Sequence, residues 1–205
     1  MKRKTPQSIQ QAKAIAESIL PTLWKKPAYT ILMTPTGFIH KGRKIIDDGK
    51  ASNLFTYNPN LNVAQKFAKA QNAESETVTY QNYLNVFYQE IAKRGAQKND
   101  VASMVTFSLA ANYYVTTAKE PNTMQVKSVY EMVKSAILKS PDIQAASDEN
   151  KQIACEIIAI RSIDALKNRN AEFATSVTND IFTALGEDLN NYQLTEQGIV
   201  RIKGK

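Results

Sequence analysis

Apolar residues recur at every third or fourth position over most of the chain after Pro59, and polar residues occupy the positions between them. Short connections separate the segments with this pattern. They carry Pro, Gly, Asn or Ser, which end helices or cap their first turns. The pattern therefore predicts a mainly α-helical, bundle-like domain of five to six helices that continues almost to residue 192. The apolar stripes of these helices lie within 61–68, 78–91, 101–118, 126–137, 153–163 and 173–189.

The segment 101–118 differs from the others because it contains no charged residue. Apolar or small side chains occupy every face of a helix built from it, and such a helix belongs in the centre of a bundle. Its length is at the lower limit for crossing a bilayer, and it also holds polar residues such as Ser103, Thr106 and Asn112. We therefore expect a buried core helix here and no transmembrane segment.

The first 56 residues have a different pattern. An amphipathic helix is predicted over 7–20, and Pro21 ends it. Residues 28–46 then have the pattern of a small antiparallel β element, with a turn at 34–37 that Pro and Gly favour. Residues 198–203 also alternate like a strand, and we expect them to complete this sheet. The sequence thus divides into a basic N-terminal appendage, residues 1–56, and a helical domain with a C-terminal strand, residues 57–205.

Positive charge is concentrated at the start of the chain. The 205 residues have a formal net charge of +7. Residues 1–50 carry ten basic and three acidic side chains, which accounts for the whole excess, because the remaining residues balance. A neutral body with a basic front end indicates contact with something anionic. The residues that we expect to contact a partner or an anion are Lys2, Arg3, Lys4, Trp24, Lys25, Lys26, Lys41, Arg43 and Lys44.

Two kinds of partner fit this basic segment. The predicted amphipathic helix, followed by Trp24 and two lysines, is typical of segments that dock onto an anionic membrane surface or a protein partner. The alternative is nucleic-acid binding, because the basic residues of 41–44 lie close to Phe38, and single-strand binders combine charge with aromatic faces. A solvated lysine-rich surface, and a helix that packs only on its own bundle, are the simpler explanations of the same residues.

Few residues could carry out catalysis. A single cysteine excludes intramolecular disulfides and cysteine-cluster zinc sites, and a single histidine excludes two-histidine metal motifs. His40 has no partner at a fixed spacing and is best explained as a surface or turn residue. Cys155 lies among apolar residues and is best explained as inert packing. No glycine-rich phosphate loop and no Gly-x-Ser-x-Gly motif occurs. We therefore expect a non-enzymatic interaction module without a cofactor or a metal site.

Several short motifs between residues 57 and 170 carry a family resemblance. They are Tyr57-Asn58-Pro59-Asn60, Gly95 followed by Asn99-Asp100-Val101-Ala102, Tyr113-Tyr114, and a helical hairpin around 153–166. In these motifs the chain resembles a family of bacterial proteins of unknown function that are mainly exported or envelope proteins. The resemblance implies a helical fold and assigns no activity. The basic start, Met1 to Lys4, is not followed by the apolar segment of a signal peptide. The resemblance therefore implies the periplasm or envelope only if a signal peptide has been removed; otherwise we expect a cytoplasmic protein.

Overall fold

The helical pattern of the sequence becomes seven α-helices and one β-hairpin in the computed structural model, which describes residues 53–202. Short 3₁₀ turns at 59–61, 74–76 and 189–191 lie in the connections. The helices are α1 (Val63–Ala70), α2 (Thr77–Lys93), α3 (Val101–Thr117), α4 (Thr123–Lys139), α5 (Pro141–Ala145), α6 (Asp148–Lys167) and α7 (Ala171–Ala184), and the strands are β1 (Tyr192–Thr195) and β2 (Gly198–Arg201).

The uncharged helix α3 lies at the centre of the bundle. It packs against α6, α7 and α4, and α2 packs mainly on α6 and also contacts α3. Ala102 and Met104 are fully buried, and Val105 is nearly so. Even the polar residues Ser108 and Asn112 of this helix are inside. The prediction of a buried core helix at 101–118 is therefore confirmed.

Side-chain caps explain where the helices begin. The Asp100 carboxylate accepts a hydrogen bond from the backbone N–H of Ala102 at the start of α3. Asn122 and Gln125 form a reciprocal capping box at the start of α4. The Ser147 hydroxyl caps α6 by accepting a hydrogen bond from the Asn150 N–H. These contacts satisfy N–H groups that have no partner within the helix.

The hairpin depends on α4 for its position. Its strands are antiparallel, with Tyr192 opposite Arg201 and Thr195 opposite Gly198. A two-stranded sheet is marginally stable in water, so it needs a surface to pack on. Ser128 of α4 provides one, because its hydroxyl accepts a hydrogen bond from the Ile199 N–H at 3.0 Å. Gly198 approaches the same residue so closely that a Cβ at Gly198 would lie 2.5 Å from the Ser128 Cβ.

The structure confirms the mainly helical fold and corrects three details of it: an additional short helix, the end of the last helix and an additional strand. Residues 141–145, which the sequence analysis leaves in a connection, form the short helix α5. The last helix ends at Ala184, whereas the apolar stripe predicts a continuation to Leu189. Residues 192–195 form a strand that the sequence pattern does not predict, and it pairs with residues 198–201 of the strand predicted at 198–203. That the predicted strand also completes a sheet with 28–46 stays a prediction, because 28–46 lie outside the described residues. The predicted strands of 28–46 and helix of 7–20 lie outside the described residues.

None of the helices within residues 53–202 combines the length and the hydropathy that a membrane-spanning helix needs.

Candidate functional site

A cavity of about 250 Å³ lies between α3, α4, α7 and the hairpin. Its walls are mainly apolar, because each of these elements turns aliphatic or aromatic side chains toward it. Clefts of this kind between helices are common places for small-molecule binding. The apolar wall includes Leu109, Ala110, Val126, Val129, Phe182 and Ile199.

Several threonine hydroxyls form part of the cavity wall, at different depths from the solvent. Thr116 and Thr175 are exposed, and each donates its hydroxyl hydrogen bond to a backbone carbonyl of its own helix. The Thr178 hydroxyl lies deeper, where it accepts a hydrogen bond from the Asn112 amide at 3.2 Å. Tyr113 is half-buried and adds an aromatic ring to this side. These groups are neutral hydrogen-bonding groups. The buried Thr106 hydroxyl also lines the cavity and has no hydrogen-bond partner within residues 53–202, so it adds one more neutral polar group to the wall.

The hairpin forms one wall through Tyr192 and Leu194. The ring of Tyr192 packs against Phe182, with 5.6 Å between the ring centroids. Burial raises the pKa of Tyr192, and a hydrogen bond to the Glu187 carboxylate raises it further. The phenol is therefore neutral at neutral pH, which keeps this wall uncharged.

A polar groove lies on the other side of α3 and α4 and shares Thr106, Pro121 and Val126 with the cavity. Its centre is the Asp100 carboxylate, which is 7% exposed. The Ser103 hydroxyl donates to Oδ2 at 2.7 Å and the Tyr130 hydroxyl donates to the same oxygen at 3.1 Å.

Asp100 also joins the start of the described chain to the bundle. The Asn53 side-chain amide donates to its Oδ1, and the backbone N–H of Val101 donates to the Asn53 carbonyl at 2.9 Å. Two residues further on, the Phe55 N–H donates to the Asn99 carbonyl and the Phe55 ring is buried in the core. The carboxylate thus connects the first described residues with α3 and α4, and its four donors indicate a structural role.

A second buried carboxylate, Glu156 of α6, is 4% exposed. The Tyr88 hydroxyl donates to its Oε1 at 2.7 Å and the Gln152 amide donates to the same oxygen at 2.8 Å. Burial raises the pKa of Glu156, and these two hydrogen bonds oppose the rise. Burial, and then the nearby Glu156 charge, raise the pKa of Tyr88. The Lys98 ammonium lies beside this group, 3.6 Å from the centre of the Tyr57 ring.

The motif Tyr57-Asn58-Pro59-Asn60 is held by the same network. The Gln152 side chain pairs with the Asn58 backbone through both of its amide atoms, at 2.8 Å and 3.0 Å. The Asn58 side chain accepts a hydrogen bond from the Asn60 N–H and so caps the 3₁₀ turn that follows. In this motif and in Asn99-Asp100-Val101-Ala102, the polar groups satisfy backbone or buried partners. These contacts indicate that the two motifs have a structural role, because they connect distant parts of the chain by hydrogen bonds.

The structure does not test the site residues predicted from the sequence. All nine basic and aromatic candidates, Lys2, Arg3, Lys4, Trp24, Lys25, Lys26, Lys41, Arg43 and Lys44, lie outside residues 53–202, as does His40. Cys155 lies inside α6, is 2% exposed and contributes to the main core. Burial raises the pKa of its thiol, which agrees with the interpretation of Cys155 as packing. Within the described range, no three His, Cys, Asp or Glu side chains are grouped as metal ligands would be.

The cavity cannot be predicted from the sequence pattern. Its residues come from three helices and a hairpin that are up to 93 positions apart, from Thr106 to Ile199. Each of them belongs to a predicted helix, to a connection or to the predicted strand at 198–203. The local signal is Ala110 on α3, one helical turn before the bulky Tyr113. The small side chain of Ala110 leaves space on this face of the helix unless a neighbouring side chain fills it.

Comparison with known proteins identifies the family. A family of unknown function, DUF6683, matches residues 52–162, which begin just before Asn53 and end within α6. The match covers both motifs described above and the central helix α3. No curated protein and no solved structure matches the chain. The family match covers more than half of the chain, and the chain therefore belongs to the DUF6683 family.

Proposed function

We propose that this protein is a non-enzymatic interaction module that docks through its basic N-terminal segment onto an anionic membrane surface or an acidic protein partner. The observation that carries the proposal is the separation of charge along the chain. Residues 1–52 contain ten basic and three acidic side chains, whereas residues 53–202 contain fourteen basic and sixteen acidic ones. The excess positive charge therefore belongs to residues 1–52, because the charges of residues 53–202 and of the two lysines in 203–205 sum to zero.

Contacts within the bundle support this separation. Several of its cations are already compensated by neighbouring acids. Lys93 and Arg94 both pair with Glu90 at 2.7 Å, and the buried Arg161 pairs with Asp180 at 2.8 Å. The Arg161–Asp180 pair has no net charge, whereas Lys93 and Arg94 share one carboxylate and keep a single net positive charge. Solvent ions screen such an exposed charge beyond the Debye length, which is about 8 Å at physiological ionic strength. An anionic surface would consequently be attracted to the N-terminal segment rather than to the bundle.

The composition of the segment favours a membrane surface over a purely electrostatic partner. The predicted amphipathic helix at 7–20 and the nearby Trp24 would supply apolar contacts, and Lys25 and Lys26 would supply charge. Each lysine near an anionic leaflet contributes about 1 kcal/mol to binding. A location at the cell envelope, which the family resemblance implies, would bring the segment close to such a surface.

Cosedimentation with vesicles tests the proposal. The full chain should bind vesicles that contain anionic phospholipid and not vesicles of zwitterionic lipid. The double substitution Lys25→Glu and Lys26→Glu should weaken binding by at least about tenfold, since each reversal replaces attraction with repulsion. The matched control is Lys119→Glu with Lys127→Glu, two exposed lysines of the bundle, which should leave binding nearly unchanged.

The other partners have distinct outcomes in the same series. Equal loss of vesicle binding in both double variants would contradict a role for the N-terminal segment. Retention on single-stranded RNA or DNA that falls steeply with salt, together with no vesicle binding, would favour the nucleic-acid alternative through residues 41–44. Binding of a purified acidic protein that is lost only with Lys25→Glu and Lys26→Glu would favour the protein partner.

A further inference from the structure

We propose that the cavity between α3, α4, α7 and the hairpin is a binding site for a neutral, mainly apolar small molecule that carries an aromatic ring. This inference is independent of the docking function of the N-terminal segment. It depends on the charge of the cavity wall, on its volume and on its aromatic residues.

The wall of the cavity selects against charge. Among residues 53–202, no charged side chain lines it, and its polar members are threonine hydroxyls, the Gln125 amide and two tyrosines. Gln125 is already occupied, because its amide donates to the Thr195 carbonyl at 2.9 Å and its Oε1 accepts from the Asn122 N–H. An ionised group inside the cavity would lose its hydration without gaining an opposite charge, which is strongly unfavourable. The ligand must therefore be neutral where it is buried.

The volume sets the size of the ligand. An apolar cavity of about 150 Å³ lined by aliphatic and aromatic residues stays dry and binds benzene. The cavity here, at about 250 Å³, is larger, has mainly apolar walls and is open to solvent on one side. Scaling from benzene gives room for roughly ten non-hydrogen atoms. A fused two-ring molecule, or one ring with a short substituent, is of this size.

The aromatic residues favour a ring over an alkyl chain. Phe182 and Tyr192 meet at 59° between their ring planes and form part of the cavity wall, and Tyr113 lies toward the mouth. A planar ligand can make edge-to-face contacts with such rings, which adds to the gain from burying its area. One neutral polar group of the ligand would then lie near Thr116 and Thr175, where it stays in contact with solvent. Binding would also hold the hairpin against α7, because the ligand would contact both.

The test uses the full chain and two probes that share a naphthalene ring and differ in the charge of their polar substituent at neutral pH. The probes are 2-naphthol, which is neutral, and 2-naphthoate, which is anionic. Isothermal titration should show saturable 1:1 binding of 2-naphthol and at least about tenfold weaker binding of 2-naphthoate. Titration of 1-octanol, a neutral alkyl molecule of similar size, should give weaker binding than 2-naphthol. Tighter binding of octanol would contradict the aromatic preference.

Two variants test whether the probe binds in this cavity. Ala110→Phe fills the space from α3, and Val129→Phe fills it from α4, so either should reduce the affinity for 2-naphthol by at least about tenfold. The matched control is Ala92→Phe, because Ala92 is an exposed residue of α2 remote from the cavity. Thermal unfolding shows which variants fold, and the two filling variants report independently of each other. No binding by the unsubstituted chain, equal binding of both naphthalene probes, or unchanged affinity in a folded filling variant would overturn the proposal.

Discussion

Replacement of Asp100 by Ala should destabilise the protein far more than loss of an ordinary helix cap. The carboxylate accepts hydrogen bonds from the Ala102 N–H, the Ser103 hydroxyl, the Tyr130 hydroxyl and the Asn53 amide. Loss of the cap alone costs about 0.5–2 kcal/mol. The Ser103 hydroxyl is 6% exposed and would lose its partner, and a buried donor left without a partner costs about 1–3 kcal/mol. We therefore expect Asp100→Ala to lower the free energy of unfolding by about 2–4 kcal/mol.

Urea denaturation of the full chain, followed by far-UV circular dichroism, measures this loss. The matched control is Asp188→Ala. Asp188 also caps a helical turn, through the Asn190 N–H at 2.9 Å, but its hydrogen bonds are local and exposed. Its replacement should cost less than about 1 kcal/mol. Asp100→Asn should fall between the two, because one amide oxygen can still accept hydrogen bonds. If Asp100→Ala costs no more than Asp188→Ala, the carboxylate does not join the chain segments as described.

Three further predictions concern a carboxyl group, a glycine and a thiol. Burial raises the pKa of Glu156, so the folded protein holds a proton there at pH values where the unfolded chain has lost it. Stability should consequently fall as the pH rises from the ordinary glutamate pKa, about 4.3, toward the raised value, and Glu156→Gln should remove this part of the fall in parallel urea titrations. Gly198→Ala should lower the melting temperature, because Gly198 has a φ of +135° and the added Cβ would meet Ser128. We expect the free energy of unfolding to fall by about 2 kcal/mol or more, with increased amide exchange in the hairpin. An unchanged melting temperature would contradict this packing of the hairpin on Ser128. The Cys155 thiol should react with iodoacetamide only when the protein unfolds, because it is buried and its pKa is raised; rapid labelling without urea would show that α6 opens locally.

Much of the fold could be predicted from the sequence because local signals and packing agree. The absence of charge in 101–118 predicts its central position, and α3 contacts four other helices, α2, α4, α6 and α7. Asn122, Ser147 and Asp100 mark the starts of helices because their side chains accept the hydrogen bonds that the first turn leaves free.

The features that the sequence did not reveal depend on contacts between distant residues. The strand at 192–195 forms because the hairpin packs on α4, where Gln125 binds the Thr195 carbonyl. A glutamate at position 156 would ordinarily be placed at the surface. It is buried because Tyr88, 68 positions away, donates a hydrogen bond to it. The cavity has the same origin, since it is the space that α3, α4, α7 and the hairpin leave between them.

The most direct test of the central claim is recruitment to cell membranes or to a partner in extracts of the source cell. Full-length protein and a chain that lacks residues 1–26 would be compared by sedimentation and by pull-down. Circular dichroism would first establish that both retain the same helical content. The account predicts that only the full-length chain is recruited and that salt weakens this recruitment. Equal recruitment of the two chains would mean that the folded bundle, rather than the basic N-terminal segment, makes the contact.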